Sequence, residues 1–231
     1  MQKQTTILNE ISFFGKPKNM EKVVNVKMLP ADSDVGIIFK RIDLSNDNII
    51  EVNYNNVYLD NDELILKNDQ GVSVKGIEQI ISSLWAMRID NIVVELDGDA
   101  LPYIDGNCES ILFLLTVSHT KELDKERKIF ELKNDIFVKL NDCEISIKKS
   151  SNLLIAINNK NSKYVFDNGI LPFKDELSKL NKETDLQEKY DVISTITLMF
   201  ISNLYCKVSI EINNFNKLAV LDVFKNLFLN K

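Results

Sequence analysis

A metal-dependent hydrolase is built from histidines, cysteines and carboxylates, and this chain has a single histidine, His119. It stands in the polar stretch 118–121 that ends an apolar run. It can offer one imidazole to a metal, where a hydrolytic zinc site draws on two or three or on an equivalent set of Cys and carboxylates. The cysteines, Cys108, Cys143 and Cys206, are odd in number and far apart, with no C-x-x-C spacing. They read as buried or half-buried thiols in a reducing compartment, not as a redox or metal pair. Asp97, Asp99 and Asp105 gather the oxygen ligands that hard cations take. Two of them, however, open the turn dipeptides Asp97-Gly98 and Asp105-Gly106, where the backbone alone accounts for the residue types. No Gly-rich nucleotide cradle, no G-x-S-x-G and no near Cys/His pair is present.

The elements that must position these residues follow from periodicity. The segments 23–28, 36–42 and 58–66 read as short strands with polar turns. At Lys75 the period changes. Ile77, Ile80, Ile81, Leu84 and Trp85 fall at helical spacing, so 76–87 is expected to be an amphipathic helix with Trp85 in the core. The β-branched run 91–96 is a strand, 97–106 a loop that carries Tyr103, and 107–117 a second helix. The charge-dense stretch 123–128 is taken as the domain boundary. Beyond it lie strands near 129–132, 135–140, 144–148, 153–157 and 164–166, a helix over 185–203, a strand at 207–212 and a closing helix over 214–229. Both halves thus repeat one order: strands, helix, strand, helix. The expected fold class is α+β, with domains at 1–122 and 123–231. Each is a small mixed sheet under two helices, the two packed helix layer to helix layer.

Composition narrows the function. With 231 residues, 45% hydrophobic and 27% charged, the chain has the make-up of a soluble globular protein. A net charge of −6 with both signs interspersed argues against nucleic acid, which needs clustered Lys and Arg. The polar start suggests no signal peptide, and the longest apolar run, 111–117, is far short of a membrane span. A cytoplasmic protein without a transmembrane segment is expected.

Three segments resemble the UDP-3-O-acyl-N-acetylglucosamine deacetylase family, zinc hydrolases of lipid A synthesis. The run RIDNIVVELDGDALPYIDG at 88–106 is similar to that family's G-I-D-N-I-V-I-E-V…E-I-P-I-M-D-G-S. Pro30-Ala31 with GIIFKRIDL at 36–44 resembles its P-A…G-V-I-Y-R-R-T-D-L, and VKGIEQI at 74–80 its S-T-V-E-H-L. The resemblance implies the same two-domain α+β fold. It also implies a zinc ion held by two His and one Asp, a Glu as general base, a second His and a Lys. Carried over by position, the base matches Glu78, which also reads simply as a carboxylate favoured at a helix N-terminus. The adjacent zinc His matches Gln79, a neutral amide. The other two ligands and the Lys fall on Tyr190, Asp191 and Ser194, or in another register on Leu218, Ala219 and Asp222; the acid His falls on Lys217. A His-bearing N-terminal loop corresponds to 17–21, and the family's longer acyl-passage insertion to the short 158–184, which includes Pro172.

The reading is therefore a catalytically inactive, deacetylase-like protein with no catalytic residues, metal or cofactor expected, although the family uses zinc. It would be a binding or regulatory module for a protein partner of unknown identity or for a residual sugar-nucleotide ligand. The alternative is an active or weakly active deacetylase of the lipid A pathway.

Overall fold

The computed structural model describes residues 2–18, 20–104, 108–151, 153–159, 162–167, 186–201, 205–206 and 208–229. The chain divides into two compact units, one built on Met1–Arg127 and the other on Lys128–Phe200 and Leu204–Lys231. Both are α+β.

The first unit contains β1 (Lys3–Ile7), β2 (Ile11–Gly15), β3 (Val24–Pro30), β4 (Ile37–Arg41), β5 (Ile49–Glu51), β6 (Val57–Asp60), β7 (Glu63–Lys67), β8 (Ser73–Lys75), α1 (Glu78–Ala86), β9 (Ile92–Leu96), α2 (Glu109–Ser118) and β10 (Thr120–Glu126). Its main sheet has the order β2-β3-β9-β4-β5. Alternation sets which side chains go inward: Val24, Val26 and Met28 on β3 and Ile92, Val94 and Leu96 on β9 are buried, while Asn25, Lys27 and Glu95 are not. The helical spacing puts Ile80, Ile81, Leu84 and Trp85 of α1 into the core, joined by Ile111, Leu112 and Leu115 of α2, which packs on α1. Strands β6, β7 and β8 form a separate three-stranded sheet.

Helix α1 stops where its backbone turns left-handed. Arg88 has φ 57°, its N–H donates to Trp85 O, and the N–H of Ile89 reaches back to Leu84 O. This pair of bonds, with Ile89 and Leu84 both fully buried, is the Schellman closure that glycine most often occupies.

The structure adds strands at both ends of this unit, and the division between the units lies within the stretch 123–128. Strands β1 and β2 precede the first strand expected at 23. The charge-dense stretch expected to separate the domains is strand β10 as far as Glu126, antiparallel to β1. It is followed by the buried Arg127, and the boundary between the units falls between Arg127 and Lys128.

The second unit contains β11 (Ile129–Phe130), β12 (Ile136–Leu140), β13 (Cys143–Lys149), β14 (Leu154–Asn159), β15 (Ser162–Asp167), α3 (Leu186–Phe200), β16 (Tyr205–Cys206), β17 (Val208–Asn213) and α4 (Lys217–Leu229). Its sheet runs β12-β13-β17-β14-β15. That is the first unit's order repeated: first, second, last, third, fourth. The central strand is antiparallel to one neighbour and parallel to the other in both, so the duplication expected from the element order is present strand for strand. Ile145, Ile147, Ile155, Ile157, Ile210 and Ile212 line the inner face, and α3 packs on α4. Among the described residues no helix is long and apolar enough to cross a membrane.

Candidate functional site

Glu78 and Gln79 open α1, and the chain is steered into that helix by backbone contacts. Lys75 of β8 donates its N–H to Asp99 O and accepts from the N–H of Leu101, both at 3.0 Å. Gly76 then takes φ 72°, a conformation that a side chain would strain. Ile77 precedes the helix without any side-chain cap, so the first-turn carboxylate of Glu78 is the group that meets the helix's positive end. Its Oε1 accepts a long hydrogen bond, 3.4 Å, from the Leu64 N–H of β7. The backbone carbonyls of both residues are engaged from below: Ser82 Oγ donates to Glu78 O at 2.6 Å and Ser83 Oγ to Gln79 O at 2.6 Å. Both side chains are half-buried, and that of Gln79 makes no hydrogen bond among the described residues.

Arg41 holds the strand that feeds this turn. Its guanidinium meets Asp43 through two parallel bonds, Nε–Oδ1 at 2.8 Å and Nη2–Oδ2 at 2.7 Å, and its Nη1 donates to Ser73 O of β8 at 3.0 Å. The hydrogen bond to Asp43 raises the Arg41 pKa above its ordinary value and, reciprocally, lowers that of Asp43. Both residues sit within a segment that resembles the family, yet nothing in the sequence shows that they pair or that Arg41 reaches β8.

The aspartate cluster has structural partners. Asp97 accepts from Asn25 N–H at 2.8 Å and from Asn25 Nδ2 at 2.7 Å. Burial alone would raise its pKa, but these bonds prevail and hold it below the ordinary carboxylate value. The adjoining Gly98 is required by space, since a Cβ there would come within 2.6 Å of Val24 Cγ2. Asp99 gives its carbonyl to Lys75, as above. Asp105 and the stretch 168–185, with Pro172, lie outside the described residues.

His119 is exposed at the C-terminal end of α2, with φ 57° and ψ 166°. Its carbonyl accepts from Leu8 N–H at 2.9 Å, so its place is a backbone junction between α2 and the segment after β1. Cys108 and Cys143 are free and buried. Cys108 Sγ lies 3.3 Å from Ser82 Oγ, and burial pushes the Cys143 thiol pKa up. The Cys206 side chain lies outside the described residues. Trp85 is in the core as expected, and Tyr103 is exposed.

The other candidate positions belong to the second unit. Ser194 is buried in α3, among the equally buried Thr195 and Thr197. Tyr190 stands one helical turn before it, with its side chain outside the described residues. Lys217 is the first residue of α4, half-buried behind Asn216, whose Oδ1 caps the helix by accepting from Ala219 N–H at 2.9 Å. In the other register Ala219 is buried, Leu218 and Asp222 exposed. Among the described residues no three His, Cys, Asp or Glu side chains come together as a metal set would. At α1 the donors are one carboxylate and one amide.

The densest resembling segment, from 88, works as scaffold. Asp90 accepts from Arg127 and Thr5, and Asn91 bonds Gly36 N–H at 2.9 Å and Gln4 Oε1 at 3.0 Å.

Comparison with known proteins places this geometry. A sequence model described as UDP-3-O-acyl N-acetylglycosamine deacetylase matches residues 4–186. The chain is 31% identical over 160 residues to the UDP-3-O-acyl-N-acetylglucosamine deacetylase of Ruthia magnifica subsp. Calyptogena magnifica, covering 68% of this chain and 51% of that one. It is 32% identical over 144 residues to the protein of that name from Hamiltonella defensa, covering 62% and 46%. To the one from Aliarcobacter butzleri it is 28% identical over 185 residues, covering 77% and 60%. The chain thus spans about half the length of these relatives. The match takes in Glu78 and Gln79 and ends at the start of α3, so Tyr190, Ser194 and Lys217 lie beyond it.

Proposed function

Starting from the fact that the chain belongs to the UDP-3-O-acyl N-acetylglycosamine deacetylase family, we propose that it is a non-catalytic member that works as a cytoplasmic binding or regulatory module. The observation that carries this reading is at the start of α1. The carboxylate expected of a general base is present as Glu78, and the position beside it is Gln79, a neutral amide. The chain's one imidazole is committed to the far end of α2.

These residues do not fit a zinc ion. Zinc of a hydrolytic site takes imidazole, thiolate and carboxylate donors, and Gln79, Tyr190, Ser194 and Lys217 supply an amide, a phenol, a hydroxyl and an ammonium. Without a metal-bound water, Glu78 has no acidic proton to remove, and its role contracts to stabilising the helix start and the β7 contact. What each of these side chains can still do is hydrogen-bond. Residual recognition of a sugar nucleotide and contact with a protein partner are the two forms of binding that follow from this reading.

Family membership and the retained Glu78 favour the alternative, a weakly active deacetylase, enough to require a direct test. Elemental analysis after dialysis against a weak chelator should find no stoichiometric zinc. Incubation with acylated UDP-N-acetylglucosamine should release no acetate, and Gln79→His alone should not restore release. Near one zinc per chain, or acetate release that a Glu78→Gln variant abolishes, would sink the non-catalytic reading.

A further inference from the structure

The outer face of the second unit's sheet carries a trough that the deacetylase reading does not use. Asp135, Ile136, Phe137, Ser146, Lys148, Glu211 and Asn213 line a cavity of about 270 Å³. The register explains its shape. Phe137 on edge strand β12 stands directly across from Ser146 on β13, which stands across from Glu211 on β17. The small serine between a phenylalanine and a glutamate leaves a gap one side chain deep. The ring of Phe137 is 68% exposed beside it, although an alternating strand would ordinarily present a polar residue there.

The polar rim is held in place. Asn158 of β14 donates from one amide nitrogen to Glu211 Oε1 at 3.0 Å and to Asn213 Oδ1 at 2.8 Å. Its own Oδ1 is buried with no hydrogen-bond partner among the described residues, so the orientation of the two acceptors is obtained at the expense of an unsatisfied carbonyl. The arrangement leaves Glu211 Oε2 as an acceptor and the Asn213 amide as a donor at the trough, with Ser146 Oγ on its floor. Lys148 forms no ion pair among the described residues and adds an ammonium donor.

An apolar plate edged by one carboxylate acceptor and neighbouring amide, hydroxyl and ammonium donors matches a neutral pyranose. The C–H face of the sugar covers the aromatic ring, and adjacent hydroxyls each donate and accept. Asp135 and Glu211 oppose an anion, so the rim does not suit a phosphate or nucleic acid. The volume falls just below the roughly 300–1,000 Å³ of pockets for drug-sized ligands, which limits the occupant to about one ring. We propose that this trough binds a single neutral hexopyranose unit of a glycan, with Phe137 as the stacking platform and Glu211 and Asn213 as the hydroxyl readers.

The test is an amide-resolved NMR titration of the full chain with the methyl glycosides of glucose, galactose and mannose. At least one should give saturable shifts on β12, β13 and β17, with a Kd on the order of 1–10 mM, as an open one-ring site implies. Phe137→Ala, at an exposed position, should weaken that binding tenfold or more. Glu211→Gln, which keeps the shape, should weaken it several-fold if the alanine variant is poorly folded. Absence of saturable shifts from all three glycosides, shifts elsewhere, or undiminished affinity in a folded variant would overturn the assignment.

Discussion

Replacing Arg127 with methionine tests a deeply buried ion pair of the first unit. The Arg127 and Asp90 side chains are 3% and 4% exposed and meet at 2.7 Å. The guanidinium also donates to Arg88 O at 2.8 Å and to Gln2 Oε1 at 3.2 Å. Asp90 Oδ2 in turn accepts from Thr5 N–H at 2.7 Å. Methionine fills much the same volume but leaves a carboxylate in a low-dielectric site with Thr5 as its remaining main donor. Breaking a buried pair in this way costs about 3–5 kcal/mol. Adding Asp90→Asn removes the orphaned charge and keeps an oxygen for Thr5, so the double variant should recover roughly half of the loss. Trp85 is the only tryptophan and lies in the core of this unit, so its fluorescence during urea denaturation reads this unit selectively. A single-variant loss below about 1 kcal/mol, or a double variant no more stable than the single, would refute the reasoning that an uncompensated charge dominates.

Two further substitutions have signed outcomes. Arg88→Gly should stabilise the first unit: relief of a left-handed residue at φ 57° is worth about 1–2 kcal/mol, offset by the roughly 0.5–1 kcal/mol of backbone entropy that glycine loses on folding. A lower urea midpoint by Trp85 fluorescence would contradict the closure described for α1. For Asp43, the folded pKa lies below the ordinary 3.8, so its stabilisation is present above that value and is lost as pH falls through and below it. Since the pair is only partly buried, Asp43→Asn should lower stability at pH 7 by under about 1 kcal/mol. The penalty should shrink progressively as pH falls below 3.8, as urea midpoints across that range would reveal; a penalty independent of pH would exclude the ionic contribution.

What the sequence makes legible is what alternation and helical spacing encode. Strands β3, β4, β9, β13 and β17 alternate buried with less buried side chains and are expected from that pattern, as the four described helices are from theirs. β1 is not, because its inward positions are Gln4 and Thr6, both buried. They are satisfied by Asp34, Asn91 and the Ala31 N–H, partners a hydrophobic pattern cannot announce. Its mate β10 has charges on both faces and so reads as a linker. At the candidate site, Glu78 and Gln79 are legible through their neighbours in the chain. The Arg41–Ser73 and Asp90–Arg127 contacts join residues 32 and 37 apart and emerge only with the fold. The family model's match ends at 186, before Tyr190, Ser194 and Lys217, so their assignment rests on a weaker resemblance and on the order of elements.

The shared strand order also governs how the protein must be made. In each sheet the middle strand, β9 or β17, is the last of the five to leave the ribosome. Until it arrives, the earlier strands exist only as two separate hairpins, β2-β3 with β4-β5 or β12-β13 with β14-β15, each too small to be stable alone. Sheet formation therefore waits on a long-range insertion, a topology that folds slowly. In the first unit a further clasp follows, since β10 joins Lys3 to Glu126 and shuts the unit almost at its final residue. Nascent chains ending before Leu96 should lack the sheet, those ending between Leu96 and Glu126 should hold it unclasped, and only longer ones should resist protease.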